Sequence, residues 1–125
     1  MEFLKQLFTW WNGTTIGTRI YTARNGHFVG TDERGNRYFQ TTGGKRRWVQ
    51  YKGYAEASTI PPGWHGWIHH KVDTPPTAET YAPREWEKPH EQNLTGTAGA
   101  YRPAGSLLRA KPRAVKPDYE AWQPK

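Results

Sequence analysis

Three histidines, His65, His69 and His70, lie close to three tryptophans, Trp48, Trp64 and Trp67, in the stretch 44–76. Two histidines four apart on a helix can share a metal ion, as in the zinc proteases. That motif needs Glu directly after the first histidine, and here Gly66 stands there. A third ligand would have to come from Asp73 or farther away. The histidines therefore read as packing and hydrogen-bonding neighbours of the indoles, and no metal is expected. Nucleophilic catalysis has as little support. Ser58 and Ser106 are the only serines, and neither sits in a nucleophile elbow. The carboxylates are scattered. Gly43-Gly44-Lys45-Arg46-Arg47 could hold a phosphate, but it reads as a hairpin turn, and no Walker or dinucleotide loop is present. No catalytic residue and no cofactor is expected.

Composition points to docking. The 125 residues hold thirteen Gly and ten Pro, yet seven Trp and seven Tyr. Disordered chains are poor in aromatics, and Trp, Tyr and Arg are the side chains most enriched at interface hot spots. The net charge of +7 favours an anionic partner. Residues 1–70 carry nine Lys/Arg against four Asp/Glu, and residues 71–125 nine against seven. A basic sheet bearing Phe28, Tyr38, Phe39, Trp48 and Tyr51 could stack bases and steer phosphates. A single-stranded nucleic-acid module is thus the alternative, although the aromatic signature of an RNA-recognition strand is missing. The absence of cysteine excludes disulfides and thiolate metal sites within this chain. No apolar run approaches the ~20 residues that span a bilayer, and the start of the chain lacks the features of a secretory signal.

Residues 1–11 predict a short amphipathic helix with Phe3, Leu4, Leu7, Phe8 and Trp11 on one face. So short a helix is marginal in water. It needs the chain's own sheet, a partner protein or a membrane surface to lie on. Residues 14–51 predict a four-stranded antiparallel meander: 16–22, 27–31, 37–41 and 46–51. Asn25-Gly26 would form the first hairpin turn. In the last strand Arg47, Val49 and Tyr51 share one face while Arg46, Trp48 and Gln50 share the other. Neither face is cleanly apolar, so both should meet something other than water. Pro61-Pro62 can open a helix over about 61–70, capped by Ser58 or Thr59, with Trp64 and Ile68 on one face and His65 and His69 on another.

From residue 71 onward prolines punctuate the chain and no periodicity persists. Tyr81, Trp86, Leu94, Tyr101, Leu107, Leu108, Tyr119 and Trp122 remain as dilute anchors, as in a tail that orders on a partner. The expected fold is mainly β and irregular. An N-terminal helix spans 1–12, a sheet with the Trp/His helix spans 13–70, and an extended tail spans 71–125.

Several segments resemble, in order, the alpha-subcomplex subunit twelve family of respiratory complex I, which includes the assembly factor mimitin. They are Phe28-Val29-Gly30-Thr31-Asp32, Gly35-Asn36-Arg37-Tyr38, Arg46-Arg47-Trp48-Val49-Gln50-Tyr51 and residues 60–70. Asp73-Thr74-Pro75-Pro76, Asn93-Leu94-Thr95-Gly96-Thr97, Ala100-Tyr101-Arg102-Pro103 and residues 119–124 follow. Gly63 departs from the family's usual acidic residue, and the loop between Tyr51 and Ile60 is short. The Asn-x-Thr-Gly-Thr turn is more a feature of the resident subunit than of mimitin. The resemblance implies a non-catalytic accessory subunit in a hetero-oligomer. It would sit on the peripheral arm, beside iron–sulfur and quinone-module subunits and a small zinc-binding accessory subunit. It implies no cofactor and no nucleic-acid partner. The lack of a transit peptide suggests a bacterial enzyme, with the arm on the cytoplasmic side of the inner membrane. The residues expected to meet partners are Arg46, Arg47, Trp48, Tyr51, Trp64, His65, Trp67, Asn93, Thr95, Gly96, Tyr101, Tyr119 and Trp122.

Overall fold

The computed structural model describes residues 2–9, 13–103, 105–108, 119 and 122–124. The order is α1 (Glu2–Phe8), α2 (Ile16–Asn25), β1 (His27–Thr31), β2 (Arg37–Gln40), β3 (Arg47–Gln50), a single 3-10 turn (Ala57–Thr59) and α3 (Pro62–Ile68). The protein is mainly β and irregular, as its sequence predicts, but the sheet has three strands.

The expected first strand is a helix. Thr15 caps α2, its Oγ1 accepting from the Thr18 amide, and Thr22 Oγ1 donates back to the Thr18 carbonyl. Asn25-Gly26 forms no hairpin turn: the Gly26 amide closes α2 on the Thr22 carbonyl. The β-branched and aromatic content of 16–22 suggested strand, yet such preference depends on what the side chains pack against. Here Tyr21 meets the Trp48 ring, and Thr22 Oγ1 accepts from Trp48 and Gln50.

The sheet is antiparallel in the order β1-β2-β3. Tyr38 pairs with Val49 and Gly30, Phe39 with Trp48 and Phe28, and a bulge falls between Phe28 and Gly30. Alternation sends the two sets to opposite faces. On one face Phe28, Phe39 and Trp48 form a row of ring contacts, and Trp48 meets Tyr21 of α2 edge-on at 5.4 Å. On the other, Tyr38 stacks on Trp64 of α3 with centroids 3.9 Å apart, and Trp67 stands edge-on to both. Val29, Val49, Ile60 and Ile68 pack around this cluster. Both mixed faces of β3 are therefore met from within the chain.

Helix α3 begins at Pro62, but Pro61 is its cap and no side chain bonds there. Ser58 and Thr59 instead lie in the 3-10 turn, which Glu56 caps. Gly30 permits the close approach of α3. A Cβ there would lie 2.7 Å from Thr77 Cγ2 and 2.9 Å from the Trp64 ring. Gly30→Ala is expected to cost about 1–3 kcal/mol through overpacking, read as a lower denaturation midpoint in urea.

Compactness divides the chain into two units, 1–93 and 94–125. Residues 72–93 belong to the first unit and are tied to it by polar contacts. Arg47 donates to the Val72 carbonyl, and Arg34 donates to the His90 carbonyl and to Gln92 Oε1. The Asn93 amide donates to Ser58 Oγ. Among the described residues, no helix is long and apolar enough to cross a membrane.

Candidate functional site

The thirteen residues expected to meet partners fall into two groups. The first is built into the folded unit. Trp64 and Trp67 are core side chains with almost no exposed surface. They fix α3 on the sheet through the Tyr38 ring. Trp48 is half-buried, and its Nε1 donates to Thr22 Oγ1 at 2.9 Å. Gln50 Nε2 donates to the same hydroxyl, so one threonine joins β3 to α2. Arg47 is also turned inward, its side chain 7% exposed. Its guanidinium lies over the Trp67 ring, donates to the Trp67 and Val72 carbonyls, and pairs with Asp73 at 3.0 Å. It pins the chain leaving α3 to the sheet. Tyr51 is half-buried, and burial, then the nearby Glu56 charge, push its phenol above the usual value.

The second group faces solvent. Arg46 and His65 are exposed on the folded unit. His65 and His69 stand with ring centroids 4.3 Å apart on the outer side of α3. His70, in the left-handed region at φ 55°, lies beyond the helix end. Among the described residues no three potential metal ligands come together. Asn93 ends the first unit. In the second unit Thr95 and Gly96 form a turn that the Thr97 amide closes on the Leu94 carbonyl, with Gly96 at φ 83°. Tyr101 is 89% exposed, and Tyr119 and Trp122 nearly as much. Rings so exposed lack the cover that aromatic burial needs in water.

Residues 32–36 read from the sequence as a turn, but the sequence does not show that Thr22, Asp32 and Arg34 tie elements together. Asp32 carried a signal: Asp four residues before Asn, across a glycine, is turn chemistry. The others gave none, since their partners lie far along the chain. Of the rings proposed to stack bases, Tyr38 and Phe39 are buried and Trp48 is half-covered. The sheet therefore presents no open aromatic platform at those positions.

On the N-terminal helix, Leu4, Leu7 and Phe8 are exposed. The side chain of Phe3 and all of Trp11 lie outside the described residues.

The profile of the family described as NADH ubiquinone oxidoreductase subunit NDUFA12 matches residues 26–124. The chain is similar to NADH dehydrogenase (ubiquinone) 1 alpha subcomplex subunit 12 of Dictyostelium discoideum, at 41% identity over 75% of this chain and 73% of the relative. The Bos taurus protein of the same name is 34% identical over 79% and 77%. A Rickettsia prowazekii protein is 29% identical over 77% and 85%. The residues expected to meet partners lie within the matched span, and the chain belongs to the NDUFA12 family of NADH ubiquinone oxidoreductase subunits.

Proposed function

We propose that the protein is a non-catalytic accessory subunit of respiratory complex I and acts as a clamp on its peripheral arm. The match of residues 26–124 to a complex I subunit family carries this reading. The exposed Tyr101, Tyr119 and Trp122 fit it, because tyrosine and tryptophan are among the side chains most enriched at interface hot spots. The folded unit docks at one point through Arg46, His65 and the edge of Tyr51, and residues 94–124 dock at others. Linked weak contacts gain from effective concentration. The partners are iron–sulfur and quinone-module subunits and a small zinc-binding accessory subunit, on the cytoplasmic side of a bacterial inner membrane. Electron transfer belongs to those partners.

A tagged full-length chain is expected to co-purify with a membrane complex that oxidises NADH. Tyr101→Ala combined with Trp122→Ala should lower its occupancy there, since anchors of this type often cost about 2 kcal/mol or more each. Recovery of the wild-type chain only as a free protein would overturn the reading. Association with partly assembled complexes alone would indicate an assembly factor of the mimitin type.

A further inference from the structure

A second surface is built from α1 and the turn-bearing edge of the sheet. Leu7 is 54% exposed and Phe8 78%, with Leu4 beside them, so α1 does not use these side chains to cover the chain's own sheet. Lys5, on the same helix, lines a cleft of about 590 Å³ together with Arg19, Arg37, Lys52, Tyr51 and Tyr54. Arg37 is held in place, its guanidinium lying over the rings of Phe28 and Phe39 at 5.5 and 5.3 Å. Lys52 is steered by its backbone, whose amide donates to Asn36 Oδ1, and its stem runs across Gly35.

We propose that this face docks on the surface of an anionic phospholipid membrane. Leu4, Leu7 and Phe8 enter the interface, and the cleft receives lipid phosphate. Apolar side chains, tyrosines and cations in one patch are the composition of a bilayer interface. Arg37 and Lys52 complement lipid phosphate, and the cleft is of headgroup size. A helix of seven residues cannot span the bilayer; it lies along the surface. The inference stands apart from the accessory-subunit reading, because it concerns the full-length chain alone with lipid.

The test is flotation of the full-length protein with phosphatidylcholine vesicles, with and without phosphatidylglycerol. Binding is expected only with phosphatidylglycerol, and should weaken as salt rises. Arg37→Gln with Lys52→Gln should reduce partitioning more than tenfold, at roughly fivefold per cation near an anionic surface. Lys45→Gln with Lys71→Gln, an equal charge loss at exposed positions outside the cleft, should reduce it much less. Leu7→Asp with Phe8→Asp should abolish it. Circular dichroism of each variant verifies the fold. Equal losses for the two cation pairs, or no binding of the wild type at low salt, would overturn the proposal. So would cleft-dependent capture of polyglutamate without vesicle binding, which would assign the face to an acidic protein segment.

Discussion

Replacing Trp67 by alanine is expected to remove about 3–5 kcal/mol of stability, the usual range for truncating a fully buried tryptophan. The side chain is 1% exposed. Its ring stands edge-on to Tyr38 at 6.4 Å and to Trp64 at 5.6 Å, and it carries the Arg47 guanidinium 4.9 Å above its plane. Truncation would lose the transfer free energy of the indole, leave a cavity, and strip a buried cation of its aromatic support. The described core holds few large apolar side chains, Tyr38, Phe39, Trp64 and Trp67, so little can collapse into the gap. For a unit of this size total stability is on the order of 5–10 kcal/mol. Urea denaturation followed by near-ultraviolet circular dichroism should show a much lower midpoint, and a change under about 1 kcal/mol would contradict the core assignment. The functional consequence is distinct. Trp67→Ala would lose the complex by unfolding, whereas Tyr101→Ala should weaken docking with the midpoint unchanged.

What the sequence disclosed follows the reach of its signals. The alternation in residues 37–41 and 46–51, the glycine turns between strands and the Pro-Pro opening of α3 are local, and each was legible. The mixed polarity of β3 was also informative, because it required cover on both faces. It could not say whether that cover came from within the chain. Arg47 illustrates the limit: its partners are the Trp67 and Val72 carbonyls and Asp73, twenty or more residues away along the chain. Such contacts leave no periodicity. For the same reason residues 72–93 looked like an unsupported tail, although Arg34 and Ser58 hold them to the folded unit. Helix α2 was missed because its threonines, isoleucines and tyrosine favour strands. The available counter-signals were Thr15 as a cap and Gly26 as a stop. The spacing of the α3 tryptophans shows an apolar side without showing what covers it.

The turn that joins β1 to β2 gives the second large effect. Asp32 accepts four hydrogen bonds: from the Arg34 and Asn36 amides, from Asn36 Nδ2 and, at 2.7 Å, from the Tyr38 hydroxyl. Tyr38 has no exposed surface and Asn36 has 4%. Asp32→Ala would leave buried donors without their acceptor, at roughly 3 kcal/mol for the set. The same contact makes stability depend on alkaline pH. Burial, followed by the hydrogen bond to Asp32 and then the Asp32 charge, pushes the Tyr38 phenol well above its ordinary value. The folded chain therefore keeps a proton that the unfolded chain releases above pH ~10. Stability from this residue is whole below that pH and falls as pH rises beyond it, at up to about 1.4 kcal/mol per unit. Tyr51, raised mainly by burial, adds to the loss in the same window. Tyr38→Phe keeps the ring on Trp64 and forfeits one hydrogen bond, about 1 kcal/mol at neutral pH. Above pH 10 its denaturation midpoint should fall less steeply than the wild type's, and parallel slopes would mean that Tyr38 ionises without opening the fold.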